Sequence, residues 1–526
     1  MDLEDWRQEQ YLSVAVKNNN TDLAQLFLDY GVNINAQDPS GEPPLYLAAG
    51  ESPLSMVKFL IDRGGDVNVR TARGLTPLYG ASLKSRPDVV EYLLSKGADV
   101  SIASDARNWS PLECAFDYPT VLTLLVTKAR PPPDYHREAE YCDTHCTALF
   151  LAARYNKIEC VKLLLKHGDP DLEFTPSSDI EELDLAKGFT PLAIASLYSG
   201  DTLAVLLEYG ADLGAKDRDG FTPLNYSIGT TDSSLVRRLV NAGANLETTD
   251  NWGGDANLWH RRRGTPLEAA CHNQYYNDSV VVRYLVEQRG VDINGPGSYA
   301  SSALGQAFLT GGGTLITYLL TNGGSINTTD GNGLPSWFNI CYRRDNALEI
   351  FDKILAHYEA VEFSASLRGK DRMSRTILHC AAHAGHLGLV ERLAELEPKL
   401  IDGRDADGWS ALHWAARMFC ARGLRDEVLM QSYEEKAEVI RFLARKGCPG
   451  LEERVPGGER TWNVLEIAEY HGAPDVVIGA FRDMMEEKKV QVKSTKVLSK
   501  QYPDEWSCNG CNSLIQGNDS GFGVAF

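Results

Sequence analysis

Thr190-Pro191-Leu192 opens a stretch that closes on a second copy of itself, Thr222-Pro223-Leu224. Between the two copies lie Ala193-Ile194-Ala195, the polar Tyr198-Ser199-Gly200-Asp201, the apolar Ala204-Val205-Leu206-Leu207, then Gly210-Ala211-Asp212-Leu213 and Asp217-Arg218-Asp219-Gly220. Each piece has a structural reading. Asp217 and Gly220 suit the ends of a tight turn. Thr222 suits a helix N-cap, where its hydroxyl accepts an orphan N–H. Pro223 suits the first helical position, where its missing N–H costs nothing. The small residues of the first helix allow close packing, and the second helix carries apolar residues at helical spacing. Gly210 falls where the chain must turn left-handed to leave that helix. The stretch therefore predicts two short antiparallel helices followed by a projecting turn.

The same unit recurs along the chain. Thr-Pro-Leu also stands at Thr76-Pro77-Leu78 and Thr265-Pro266-Leu267. Degenerate copies stand at Pro43-Pro44-Leu45, Ser110-Pro111-Leu112, Thr147-Ala148-Leu149, Ser302-Ala303-Leu304, Thr376-Ile377-Leu378 and Ser410-Ala411-Leu412. Leu45 and Leu78 are 33 residues apart, and Leu378 and Leu412 are 34 apart. A period of this length marks stacked supersecondary units. Ten phased copies, most followed by a second helix and a Gly-Ala-Asp-like exit, resemble the ankyrin repeat family. The resemblance runs from about residue 8 to about 485. It implies an all-α solenoid of about a dozen helix pairs joined by β-hairpin-like loops. It also implies a scaffold that binds partner proteins on its concave surface of hairpins and first helices.

The array is interrupted near 130–141, 170–186, 251–263, 421–435 and 449–460. The 421–435 segment reads as a lengthened loop between the two helices of one unit. Residues 486–503 read as a charged linker and 504–526 as a tail. In that tail Trp506-Ser507-Cys508-Asn509-Gly510-Cys511 resembles the opening of a ZZ-type zinc finger, with Cys508 and Cys511 as its matching ligands. A structural zinc takes four protein ligands, and no Cys or His follows Cys511. No cofactor is expected, and zinc only if the module were completed.

Composition sets further limits. The chain has 526 residues, 43% of them hydrophobic, and a formal net charge of −20. Phosphate binding needs Lys and Arg in excess, so no nucleic acid is expected as partner. A protein with basic segments is the better charge match. The opening Met1-Asp2-Leu3-Glu4-Asp5 lacks a basic and apolar leader, and no apolar run is long enough to span a bilayer. An intracellular protein, cytoplasmic or nuclear, is expected. The 11 cysteines are odd in number and several replace core residues, as in reduced proteins.

Two clusters invite a metal reading. His379, His383 and His386 have spacings of four and seven, but in the repeat phase the helix should stop near Ala384 and separate the rings. Cys142, His145 and Cys146 fall on a hairpin turn without the usual spacing of a closed zinc site. No catalytic motif is visible, and no enzyme is expected; an enzyme body within 250–370 is the weakest alternative. Candidate partner contacts are Arg154, Tyr155, Tyr198, Arg218, Asp219, Phe221, Trp409 and Arg417. Trp109, Phe189, Phe221 and Trp409 recur just before the Ser/Thr cap, which fits packing between hairpins as well as an exposed tip edge. A regulatory adaptor that brings a separate enzyme to its substrate is the alternative function.

Overall fold

The computed structural model describes residues 5–141, 144–167, 189–198, 200–217, 220–230, 232–248, 265–272, 280–288, 291–295, 302–329, 333–343, 346–358, 360–417, 426–457 and 460–490. Contacts divide the chain into two units, Met1–Asn245 and Leu246–Phe526.

The first unit is a succession of helix pairs: Asp5–Lys17 with Thr21–Asp29, Pro44–Glu51 with Leu54–Asp62, and Pro77–Leu83 with Pro87–Ser95. Pro111–Cys114 with Pro119–Lys128, Ala148–Arg154 with Ile158–His167, Pro191–Tyr198 with Gly200–Glu208, and Pro223–Ile228 with Ser233–Asn241 complete it. The second unit continues with Pro266–His272 and Val280–Val286, then Ala303–Thr310 and Gly313–Thr321. After these come Ile377–Ala384 with Leu387–Leu396, Ala411–Ala416 with Asp426–Arg445, and Val464–Tyr470 with Asp475–Glu487. Within each unit, first helices pack on first helices and second on second, so every pair completes its core only against its neighbours.

The local chemistry is as the repeat requires. Thr76, Thr147 and Thr222 accept the N–H of the residue three on, and Pro77 and Pro223 take the first helical turn. Gly210 leaves its helix at φ +85°, a backbone conformation that L side chains rarely adopt. At the tips a buried Asp holds the turn. Asp38, Asp217, Asp371 and Asp405 each accept the N–H of the residue four on, at 2.8–3.0 Å. Tips of successive repeats are tied by backbone bonds, Ala72 N–H to Gly41 O at 2.8 Å and Ala406 N–H to Met373 O at 2.8 Å.

Among the described residues, only two tips close into two-stranded antiparallel ladders. These are Ala139–Tyr141 with Thr144–Cys146, and Val455–Gly457 with Arg460–Trp462. Both belong to interruptions of the sequence pattern, where extra residues give the strands length to pair. Residues 170–186 and 251–263 lie outside the described residues.

Three elements differ from the sequence reading. Residues 421–435 are not all loop: the second helix begins at Asp426 and runs 20 residues to Arg445. The segment Asp426–Arg445 holds strong helix formers and neither Gly nor Pro, and Asp426 and Glu427 suit the first turn. A further unit lies between the copies at 304 and 378, hidden because Pro335-Ser336-Trp337-Phe338 replaces the motif. Its first element is the 3-10 helix Ser336–Tyr342, with Trp337, Phe338, Ile340 and Cys341 buried, and helices Ala347–His357 and Ala360–Leu367 follow. The described part of 250–370 is thus built of helices. Finally, the last helix extends to Glu487, into the start of the segment read as a linker.

A device not legible in the motif joins neighbouring repeats. A polar side chain after one first helix reaches back to the carbonyls that end the preceding first helix. Arg86 donates to Ala48 O, Ala49 O and Ser52 O, and Arg343 to Ala307 O, Phe308 O and Gly311 O. Ser52 serves Val16 O, and His386 Nε2 meets Cys341 O at 3.0 Å. Helix ends leave such carbonyls without intrahelical partners, and their partial negative charge favours a cation. Replacing the buried Arg343 by Met should therefore cost about 1–3 kcal/mol. Denaturant unfolding of the Arg343→Met chain checks this; an unchanged midpoint would show the clasp contributes nothing.

Candidate partner-binding surface

Arg154 and Tyr155 end the first helix Ala148–Arg154, five and six residues after Leu149. Tyr198 ends the next first helix, Pro191–Tyr198, six residues after Leu192. The two tyrosines thus share one register in adjacent repeats. They are 37% and 54% exposed, whereas Phe150, Phe189 and Phe221 of the same and the next repeat are buried. Arg154 lies with its Cζ 5.6 Å from the Tyr155 ring centre, and Phe116 of the preceding repeat meets the same ring at 5.4 Å. Partial burial pushes the Tyr198 hydroxyl up from its usual range, and the Arg154 charge opposes that shift. Lys157 and Asp117, 2.5 Å apart, close the edge. The structure therefore brings Arg154, Tyr155 and Tyr198 together, and adds Phe116, Asp117 and Lys157. Register alone signals the tyrosine pair; the others come from the inter-helix loops, where the repeat imposes no residue.

The recurring tip aromatics are placed differently. Phe221 is 5% exposed and Trp409 is 7% exposed, so both offer little surface to a partner. Phe221 packs against Tyr226 with ring centres 5.7 Å apart, and Phe189 meets the same ring edge-on at 4.3 Å. The Trp409 indole N–H donates to Pro456 O of the next tip at 3.1 Å. A large ring at this position buries more area between hairpins than it could offer at the edge. Arg218 and Asp219 lie outside the described residues, as do Cys508 and Cys511.

Arg417 occupies, after Leu412, the register that Arg154 occupies after Leu149. Its guanidinium lies 4.9 Å from the Trp414 ring and 5.9 Å from Trp409. Trp414 also meets Arg375 at 5.0 Å and donates its indole N–H to Asp405 at 2.8 Å. Arg375 in turn is paired with Asp371 at 2.6 Å, both nearly buried. Beneath Arg417, Lys436 Nζ donates to His383 O and, at 2.5 Å, to Arg417 O. Burial, reinforced by the Arg417 charge, pushes that ammonium down to about 7. None of this inner network follows from the repeat motif, because Arg375, Trp414 and Lys436 come from three separate segments.

The histidine triplet is taken apart as its phase requires. The helix ends at Ala384, and Gly385 turns the chain with φ +87°. His379 Nδ1 sits in the capping box of Thr376, while His379 Nε2 meets Trp409 O at 3.2 Å. His383 Nδ1 meets Trp414 O at 3.3 Å. Cys146 of the other cluster is buried in the core. Among the described residues, no three His, Cys, Asp or Glu side chains gather as a metal site. No helix among them is long and apolar enough to cross a membrane.

Stacked helix pairs with capped first helices, exit glycines and projecting tips define a helical repeat scaffold. The family description "Ankyrin repeats (3 copies)" matches residues 12–104, 112–217 and 339–448, together more than half of the chain. The chain belongs to the ankyrin repeat family, whose repeats are in general protein-interaction modules and not catalysts. Among curated proteins it is 25% identical over 338 residues to the ankyrin repeat domain-containing protein SAT10 of Stachybotrys chartarum, covering 57% of this chain and 17% of that one. It is 27% identical over 229 residues to the human transient receptor potential cation channel subfamily A member 1, covering 43% and 19%. The chain thus spans only about a fifth of the length of these two relatives. The crystal structure of the human ASB11 ankyrin repeat domain is 22% identical, with a TM-score of 0.36, covering 44% of this chain and 98% of that one.

Proposed function

We propose that this chain holds a partner protein against the hairpin and first-helix surface of its N-terminal unit, with Arg154, Tyr155 and Tyr198 as the anchors. The observation that supports this is the shared register and exposure of Tyr155 and Tyr198 in adjacent repeats, with the half-buried Arg154 against the Tyr155 ring. Tyr and Arg are the side chains that most often dominate binding energy, because they supply large area at low entropic cost. With a net charge of −20, the chain favours a partner segment that is basic. Arg417 stands at the equivalent register in the other unit, which favours a second reading as an adaptor with two ligands, one of them an enzyme.

The test is proximity labelling in cells with the full chain, the double variant Tyr155→Ala/Tyr198→Ala, and Tyr30→Ala as control. Tyr30 is 78% exposed at the far end of the same unit. Partners enriched by the wild type should fall about tenfold with the double variant and should stay with the control, while the double variant remains folded, its melting lowered only by the loss of the Tyr155 ring contacts. That drop corresponds to about 1.4 kcal/mol. Equal enrichment by all three chains would reject this surface.

A further inference from the structure

The outer faces of the second helices carry a groove that the tip-and-first-helix surface does not use. It lies between Ala347–His357 and Leu387–Leu396, with a volume of about 530 Å³. Its floor includes Leu348, which is 38% exposed, and Leu355. Gly388 opens one end: a Cβ there would sit 3.1 Å from Leu348 Cδ2. Asp352, Glu391 and Glu395 form the rim, with Arg392 as its cation. Arg392 lies 3.6 Å from both Asp352 and Glu395, while Glu391 has no ion-pair partner among the described residues. The rim is therefore acidic around an apolar floor.

The same unit ends in a segment of the opposite character. Residues 488–503 contain Lys488, Lys489, Lys493, Lys496 and Lys500 and no Asp or Glu, in a chain of net charge −20. Within it, Lys496-Val497-Leu498-Ser499-Lys500 places two apolar residues between two lysines. We infer that this piece of the chain's own C-terminal segment docks in the groove, with Val497 and Leu498 on the leucine floor and Lys496 and Lys500 on the carboxylate rim.

Reach supports the pairing. Second helices Ala347–His357, Leu387–Leu396, Asp426–Arg445 and Asp475–Glu487 pack in sequence. At an interaxial spacing of about 10 Å, the groove lies roughly 25 Å from the last helix. Extended chain covers about 3.3 Å per residue, so Val490 to Lys496 spans about 20 Å and Val490 to Lys500 about 33 Å. Several of the nearer acidic positions are already engaged, and the others, such as Glu434, Glu435 and Glu486, do not line the groove with its leucine floor. Glu438 and Asp483 pair with Arg441 at 2.7 and 3.4 Å, and Glu487 pairs with Arg445 at 3.7 Å.

The experiment is zero-length carbodiimide cross-linking of the full chain, read by mass spectrometry on an equal mixture of light and heavy isotope-labelled protein. Lys496 and Lys500 should link to Asp352, Glu391 and Glu395 within one chain, and links to these three should dominate over those to other acids. They should fade near 1 M salt, where the screening length is about 3 Å. In Glu391→Gln/Glu395→Gln, the remaining Lys500–Asp352 link should drop about fivefold, and Leu498→Asp should lower all of them alike. Links scattered over the acidic surface, or an undiminished Lys500–Asp352 link in both variants, would overturn the assignment. Mixed light–heavy links making up about half of the total, the random-pairing share, would replace it with docking between two copies.

Discussion

Leu206→Pro should unfold the repeat Pro191–Glu208 and loosen its immediate neighbours while leaving distant repeats protected. Leu206 lies inside the second helix Gly200–Glu208 and is fully buried. Proline there removes an intrahelical hydrogen bond and clashes with the preceding turn, at about 3 kcal/mol or more. Losing the leucine's packing adds about 2 kcal/mol or more. In a repeat array such a cost is shared with nearest neighbours and fades with distance. Helix Gly200–Glu208 packs on Ile158–His167 and Ser233–Asn241, so amides in those helices should exchange faster too. Residues 44–62, four repeats away, should exchange as in the wild type. Uniform acceleration from the first helix pair to the end of Ser233–Asn241 would contradict this and show one all-or-none unit instead. A Leu206→Ala chain, milder in effect, gives the same readout if the proline chain fails to accumulate.

Acidification should act in opposite directions on two parts of the protein. Burial holds the His379 imidazole down to about 4, the His413 imidazole down to about 3 and the His471 imidazole down to about 4. An unfolded histidine binds its proton near pH 6.5, so below that point the unfolded chain takes up more protons than the folded one. The stability these residues hold above pH 6.5 is lost as pH falls toward 4, at about 1–3 kcal/mol for each. Glu113 behaves in reverse. Burial, partly offset by hydrogen bonds from Ser110, pushes its carboxyl up to about 7. Between pH 7 and 4.5 the folded state there holds the extra proton, so that repeat gains stability on mild acidification. Hydrogen exchange, corrected for intrinsic rates, should show protection falling across 377–484 and rising across 111–128 between pH 7 and 5. A His379→Asn/His413→Asn chain should flatten the first trend. Parallel loss in both regions would refute the assignment.

Much of this architecture is readable one residue at a time. Thr222, Pro223 and Gly210 do their work within a few bonds of their own backbone, so their roles survive without knowledge of any neighbour. The same holds for the break at Ala384 that separates His379, His383 and His386, because a left-handed glycine ends a helix wherever it stands. Where the local signal is replaced, the motif no longer reports the unit. Trp337 and Phe338 hide a repeat, since the unit there is held by buried aromatic packing and not by a cap-and-proline start. Helix Asp426–Arg445 exceeds the length a standard repeat allots to its second helix, so its start is masked by the repeat phase although its composition favours helix.

By itself, then, the sequence determined the repeat, its phase, its helix starts and exits and the acidic character of the whole. These depend on periodicity and on short-range backbone chemistry. Tertiary structure alone decided which side chains face outward. Phe221 and Tyr198 are both aromatic and both stand at regular positions of the repeat, yet one is packed between tips and the other is exposed at a helix end. It also decided the joints, where Arg343 and Lys436 serve carbonyls of helices one repeat or more away in sequence. Those bonds span 32 and 53 positions. The partners of a side chain at such separation depend on how successive pairs stack, and no motif of 33 residues encodes that directly.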